Sequence, residues 1–310
     1  MALVRDQAMR LSAIIPTYNR PGPLLATLRS VFQLDPLPDE LIVVDQSEVE
    51  SPEVAACIAG APPGLVVRYL RQRPPHAQVA RNRAIRESVG DILLFLDDDV
   101  LVEPDLIAAH LENYTDPTVA AVGGFFTQPG ETPLSELPPA YFRKPAGWTY
   151  FPHCYTKRCD SGLFPSCNGS IRREVLRRAG GFDENFIRTQ FDDTDLSCRL
   201  REIGARVVHD PAARLLHCKE PSGGNRPGGW NEHVVADWAA WQVWCYFFWI
   251  NFGWRSWPEI AIRLRSCVFR RVNVVRPWYL AAALLHFVRG AAGAALAIWG
   301  GRRLGGRIDA

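Results

Sequence analysis

The first hundred residues alternate short apolar runs with stretches of helical period. Residues 11–15 form an apolar run closed by Pro16, and Leu24, Leu25, Leu28 and Phe32 recur at helical spacing after Pro21. Residues 41–44 predict a buried strand ending at Asp45, Ser51 and Pro52 open a helix, and residues 66–70 predict a third strand. A helix over 77–88 stops near Gly90, and 92–96 predict a fourth strand. This alternation predicts an α/β fold on a doubly wound, mostly parallel sheet with helices on both faces. Such sheets bind ligands beyond the carboxyl ends of their strands. Polar residues stand at those positions: Thr17, Tyr18 and Asn19 after the first strand, Asp45 after the second, and Asp97, Asp98 and Asp99 after the fourth.

The second half is less regular. Residues 128–166 are rich in Pro, Gly and aromatics and read as loop. A helix over 172–178 is closed by Gly180 and Gly181. Another over 192–203 carries Leu196, Leu200 and Ile203 on one face and ends at Gly204, and two short strands are predicted at 206–208 and 213–216. With 310 residues, 47% hydrophobic and 22% charged, the chain has the composition of one large or two small globular domains, which excludes disorder, collagen and simple coiled coil.

The formal net charge of +2 gives no general case for nucleic-acid binding. It conceals an asymmetry. From Arg255 onward ten Arg face only Glu259 and Asp309, a balance of +8, so the preceding residues carry −6. Six of the ten Trp fall between Trp238 and Trp257. The eight Cys show no C-x-x-C pair, and the N-terminal residues lack the pattern of a secretory signal. Free thiols in a reducing cytosol are therefore expected. A zinc site from Cys154, Cys159 and Cys167 is an alternative with poor finger spacing.

Two acidic groups carry candidate chemistry. Three adjacent carboxylates at 97–99 repel one another unless a cation offsets them, and hard oxygens suit Mg2+ or Mn2+. The competing reading is a solvated acidic turn before a helix. Asp192, Asp193 and Asp195 open a helix, where one carboxylate serves as a cap and Asp195 pairs with Arg199 at i,i+4. The third has no such task and is a candidate general base. His217 follows an apolar strand. As a ligand beside carboxylates it favours Mn2+ over Mg2+, although a lone His is more often structural.

Taken in order, the segments 12–20 (SAIIPTYNR), 40–47 (ELIVVDQS), 80–85 (ARNRAI), 91–99 (DILLFLDDD), 167–184 (CNGSIRREVLRRAGGFDE), 192–204 (DDTDLSCRLREIG) and 213–217 (ARLLH) resemble family 2 glycosyltransferases of the GT-A fold. The resemblance spans residues 11–218. It implies an inverting enzyme that moves a sugar from a nucleoside-diphosphate sugar to an acceptor hydroxyl. Pro16, Thr17 and Tyr18 would border the base, Asp45 would contact base or ribose, and Arg81 and Asn82 would lie near base and diphosphate. Asp97 and Asp99 are the outer members of the D-x-D signature around Asp98. Asp99 would be the principal ligand of Mn2+ or Mg2+, Asp97 would lie toward ribose and metal, Asp98 would belong to the nucleotide-sugar site, and His217 would complete the metal site. Asp193 matches the family's catalytic base and Asp192 stands where Glu is usual. Asn168 and Gly169 fall where relatives position donor sugar and acceptor.

Residues 1–220 are thus expected to form the catalytic domain and 221–310 a Trp- and Arg-rich helical extension. The extension has a 17-residue uncharged stretch (238–254) and a second apolar stretch (277–301) interrupted by Arg289, with Arg263, Arg265, Arg270, Arg271 and Arg276 between them. This pattern predicts amphipathic helices lying on an anionic membrane surface at its cytoplasmic face. The alternatives are a spanning helix, and a cap buried on the domain or in a homodimer interface. A glycan or lipid-linked acceptor fits the membrane expectation. A nucleotidyltransferase would carry a Gly-rich loop in place of PTYNRPGP, and a non-catalytic carbohydrate-binding protein of the same fold would have lost Asp99 or Asp193.

Overall fold

The structure is a computed structural model and describes residues 9–137, 152–220, 237–269, 277–302 and 304. Arg270, Arg271 and Arg276, expected to face lipid, lie outside the described residues, as does much of the loop expected over 128–166. The chain runs β1 (Leu11–Thr17), α1 (Pro21–Val31), β2 (Glu40–Asp45), α2 (Pro52–Ala59), β3 (Val66–Arg71), α3 (Ala77–Glu87), β4 (Ile92–Leu96), β5 (Val100–Val102), α4 (Leu106–Glu112) and β6 (Val119–Thr127). It continues through β7 (Cys159–Ser161), β8 (Asn168–Arg172), α5 (Arg173–Ala179), α6 (Asp192–Glu202) and β9 (Arg206–His217). The helices α7 (Trp238–Phe252), α8 (Trp257–Arg263) and α9 (Pro277–Trp299) follow.

The sheet order is β3-β2-β1-β4-β8-β6-β9-β5, with β7 on β9. The expected parallel sheet is present in its first half, where β3, β2, β1 and β4 are all parallel. The chain moves outward from β1 to β3 and returns to β4 on the other side of β1. The switch point, where a ligand crevice opens, therefore lies between β1 and β4. The second half is mixed: β8 enters antiparallel between β4 and β6, while β6 and β9 are parallel. That reversal places the start of β8 against the end of β4, with Asn168 opposite Leu96, so residues just before β8 reach the crevice.

β1 extends through Pro16 to Thr17, beyond the predicted stop. The Thr17 carbonyl accepts from the Gln46 N–H on the β2 side, so the adjacent Pro16 nitrogen faces the β4 side. There the register ends at Ile14 opposite Phe95, so the missing proline N–H breaks no ladder bond. The two short strands predicted at 206–208 and 213–216 are one strand, β9, because its register shift against β6 at Gly124/Phe125 absorbs the intervening residues.

Alternate strand residues fill two cores. Ala13, Ile15, Leu41, Val43, Leu94 and Leu96 pack beneath α1, whereas Ile14, Ile42, Val44, Leu93 and Phe95 pack beneath α3, α5 and α6. A third core joins α7 and α9 to Phe186 and Cys198. Here the membrane-surface expectation needs correction for α7. Trp241, Tyr246, Phe247 and Phe248 are fully buried, so α7 is the buried cap of the alternative reading. Its neighbour α9 approaches closely because Gly290 has no side chain: a Cβ there would lie 2.4 Å from Trp241 Cβ. Arg289, the charge that interrupts the apolar stretch, stacks on the Trp238 ring at 4.4 Å.

Candidate active site

A cleft opens at the carboxyl ends of β1 and β4, lined by Pro16, Thr17, Tyr18 and Arg20 from β1 and the following turn, Asp97, Asp98 and Asp99 after β4, and His217 at the end of β9. Its opposite wall holds Arg81 of α3, Ser166 and Cys167 before β8, and Asp192 and Asp193 at the start of α6. Six separate elements thus converge on the crevice that the switch point opens.

The three carboxylates after β4 are not equivalent. Asp98 is buried and accepts from Thr17 Oγ1 at 2.6 Å and Arg20 Nη1 at 3.1 Å. Burial pushes its pKa up to about 6 against the pull of Arg20 and Thr17. Asp98 therefore fixes the turn, and the flanking pair does the reaching. Asp99 Oδ1 lies 3.2 Å from His217 Nε2, and Asp97 Oδ2 lies 3.8 Å from the same nitrogen. Asp99 also accepts the Glu220 N–H at 2.9 Å. Burial opposes its ionisation, but His217, that N–H and Arg20 together hold its pKa below the ordinary carboxylate value. Two carboxylates and an imidazole converging on one point form an oxygen–nitrogen donor set suited to Mn2+ and, less well, to Mg2+.

A further donor is Cys167, which the sequence offered for a three-cysteine zinc site and not for the cleft. The Cys167 sulfur lies with Asp97 and His217 so that one ligand atom from each falls within 4.8 Å of the others. Nothing local marks it: Cys167 reaches the cleft only because β8 runs antiparallel beside β4. Cys154 belongs to a different cluster, with Glu131 and His153, so the three-cysteine zinc arrangement is not formed. Arg20 was not singled out by its sequence. It contacts Asp98 and Asp99 (3.4 Å) and the Glu220 carbonyl (3.1 Å), bridging the acidic turn to the chain after β9.

On the opposite wall Asp192 and Asp193 have different partners. Asp192 Oδ2 accepts from Arg81 Nη1 at 2.9 Å and Gln78 Nε2 at 3.0 Å. Arg81 is buried, reaches Asp97 at 3.5 Å, and lies over the Phe182 ring. Asp193 Oδ2 accepts the Ser166 N–H at 2.9 Å, whereas its Oδ1 is buried without a hydrogen-bond partner among the described residues. Burial, reinforced by the neighbouring Asp192 charge, raises the Asp193 pKa to about 7. A carboxylate held at one oxygen, unpartnered at the other and poised near neutrality is suited to accept a proton. Asp195, by contrast, is fully buried in a structural pair with Arg199 and receives Arg302 from the end of the chain.

Four expected site residues do not line this cleft. Asp45 faces an adjoining pocket that shares Thr17, and its carboxylate is engaged by Tyr69 and by Arg71 Nη1 at 2.5 Å. Asn82 is a core latch: its Nδ2 donates to the Phe182 carbonyl (2.8 Å) and its Oδ1 accepts the Phe182 N–H (2.9 Å). Asn168 is wholly buried, donating to the Phe125 and Ala213 carbonyls at 2.9 and 3.0 Å beside His110. Gly169 is a packing position, since a Cβ there would meet the Pro165 carbonyl at 2.2 Å. Expecting Asn82 and Asn168 to contact ligand is thus corrected. Buried amides must find partners, and here the backbone supplies them.

The model of Glycosyl transferase family 2 matches residues 12–182. Over 226 residues the chain is 27% identical to O-antigen biosynthesis protein RfbC of Myxococcus xanthus, covering 69% of this chain and 18% of that protein. It is 28% identical over 212 residues to the pre-mycofactocin glycosyltransferase of Mycobacterium tuberculosis, covering 67% and 42%. Against succinoglycan biosynthesis protein ExoM of Rhizobium meliloti the identity is 26% over 214 residues, covering 67% and 66%. The chain therefore spans less than half the length of the first two. Among solved structures, the mannosyltransferase PcManGT from Pyrobaculum calidifontis, in complex with GDP-Man and Mn2+, aligns with a TM-score of 0.53 at 20% identity, covering 95% of this chain and 80% of that one. S. aureus TarS 1-349, in complex with UDP-GlcNAc, aligns with a TM-score of 0.53 at 14% identity, covering 94% and 92%. These likenesses show the fold, and the family match, which runs from β1 through β8, shows that the chain belongs to glycosyltransferase family 2.

Proposed function

We propose that this protein transfers a sugar, with inversion, from a nucleoside-diphosphate sugar to an acceptor hydroxyl. The observation that carries this reading is the buried, partnerless Oδ1 of Asp193 in the same cleft as the converging Asp97, Asp99 and His217. A divalent cation, Mn2+ or Mg2+, held by Asp97, Asp99 and His217 would supply Lewis-acid neutralisation of the departing diphosphate. Asp193 takes the proton of the acceptor hydroxyl through Oδ1 while the Ser166 N–H orients Oδ2. The Asp192 carboxylate, paired with Arg81, stands beside Asp193 and raises its proton affinity. Pro16, Thr17 and Tyr18 form the wall for the nucleotide, and the pocket around Asp45 extends it.

Relatives named for O-antigen and succinoglycan biosynthesis support a glycan or lipid-linked acceptor. The reading extends to a cytoplasmic enzyme resting on the inner membrane face. On α9, Trp278, Leu285, Val288, Leu296 and Trp299 are 59–89% exposed, and Trp254 and Trp257 are exposed as well. Arg255 stacks on the exposed Trp254 ring and complements anionic headgroups. The segment Trp278–Trp299 is also long and apolar enough to cross a membrane by length and composition. The interfacial reading is preferred because Arg289 is held against Trp238 near its centre. The test of the reaction is NMR of the product formed from an α-linked nucleotide sugar. A β-linked product is expected, and an α-linked product would contradict a single-base displacement.

A further inference from the structure

Outside the cleft, a carboxylate, an imidazole and a thiol meet where the chain leaves β6. Glu131 Oε2 lies 3.0 Å from His153 Nε2, and with the Cys154 sulfur these atoms all fall within 4.8 Å of one another. The backbone that presents them is fixed. Leu134 N–H donates to the Cys154 carbonyl and Thr156 N–H to the Leu134 carbonyl, each at 2.9 Å, pairing the two stretches side by side. Phe126 N–H donates to the His153 carbonyl at 3.2 Å, and the His153 ring stacks flat on Phe126, 3.9 Å between centroids at 5°. Glu131 Oε2 takes a further N–H from Gln128 at 3.0 Å. Cys154 is 2% exposed, so its sulfur is turned inward toward the pair.

We propose that Glu131, His153 and Cys154 form a second cation site, for a divalent ion of the zinc class, separate from the cleft. The donor set is the reason for the metal class. Sulfur with nitrogen and carboxylate oxygen is the set that zinc prefers and that Mg2+ and Ca2+ avoid. An ion pair between Glu131 and His153 would be complete without a thiol beside it; the third donor is what a tetrahedral ion requires. Bonds of about 2.0–2.3 Å to such atoms need only small inward movements, and three protein ligands leave the fourth position to solvent. The site would clip together residues 22 apart in sequence, and metal binding that joins distant stretches adds directly to folding stability. It would also brace the cleft: Gln128 and Phe126 line it, and Phe126 meets the His217 ring edge-on at 6.0 Å. None of the three side chains lines the cleft, so the site is independent of glycosyl transfer.

The experiment uses the full chain purified without a metal-affinity tag. Zinc content is measured by mass spectrometry after dialysis, followed by Co2+ substitution and absorption spectroscopy. About one equivalent of zinc per chain and a thiolate-to-cobalt band in the near ultraviolet are expected. The band should persist in Asp99→Ala and Cys167→Ser and vanish in Cys154→Ser and His153→Gln. Glu131→Gln, which keeps the side-chain size, should weaken zinc binding at least tenfold while its circular dichroism matches wild type. Chelation should lower the Tm of the wild type and leave that of Cys154→Ser unchanged. Absence of retained zinc together with absence of a thiolate band would overturn the proposal. So would a band lost in Cys167→Ser and kept in Cys154→Ser, which would place the sulfur ligand in the cleft.

Discussion

Replacing Asp193 by Asn separates chemistry from stability more cleanly than any other change in the cleft. The side chain keeps its shape, and an amide oxygen can still accept the Ser166 N–H now held at 2.9 Å by Oδ2. What disappears is the ability of Oδ1 to take a proton. General-base assistance contributes about 10²–10⁴-fold, or about 2.7–5.4 kcal/mol of barrier. Nucleoside-diphosphate release from a panel of nucleotide sugars with Mn2+ should fall by that factor, with donor Kd within about threefold of wild type. In the wild type, kcat/KM should rise with pH through about 7, where Asp193 loses its proton, and the variant should lack that limb.

Stability should move the other way. A carboxyl whose pKa is raised by folding favours the native state below its unfolded value, and this advantage is lost as pH rises toward the folded value. Raising it from 3.8 to about 7 disfavours the ionised form by roughly 4 kcal/mol at alkaline pH, of which about 2 kcal/mol appears between pH 5.5 and 8.5. In EDTA, Asp193→Asn should therefore gain about 2 kcal/mol on wild type across that interval, measured by urea unfolding. Near-native turnover would refute the base assignment. A variant that lost stability equally at both pH values would show that the carboxylate was not held against its ionisation.

Three further outcomes follow from the structure. Asp99→Ala should abolish the Mn2+ dependence of donor binding in calorimetry; unchanged donor affinity with and without Mn2+ would remove Asp99 from the ligand set. Arg302→Ala should cost about 3 kcal/mol in urea unfolding, because it withdraws a cation from Asp195 and Asp183, whose carboxylates are fully buried, and a loss under 1 kcal/mol would show the contact to be dispensable. Changing Trp278, Leu285 and Trp299 together to Ser should abolish flotation with anionic vesicles at low salt while leaving Tm within a few degrees. Unaltered flotation would exclude that face from membrane contact.

Much of the sheet was legible because both faces of β1, β2 and β4 are buried, and continuous apolar runs announce that without knowledge of neighbours. That Asp97, Asp99, Asp193 and His217 share one cleft was legible for a related reason: they stand within three residues of the end of an apolar run or at a helix start. What local pattern could not carry was pairing. The antiparallel insertion of β8 decides that Cys167 and Ser166 face the cleft while Asn168, one residue on, points into the core. The single strand β9 likewise depends on a register shift that only its partner β6 defines. In the tail, uniform hydrophobicity made α7 look suited to an interface. Its burial follows from Phe186, Phe191 and the small residues of α9, none of which lies in the same stretch of sequence.

The most direct measurement is anomalous diffraction from crystals grown with Mn2+ and a nucleoside diphosphate. The account predicts a manganese peak bounded by Asp97, Asp99 and His217, in contact with the diphosphate, with Asp193 Oδ1 facing the vacant acceptor side of the same cleft. A diphosphate bound there with no manganese between it and Asp99, or an Asp193 carboxylate turned out of the cleft, would contradict it.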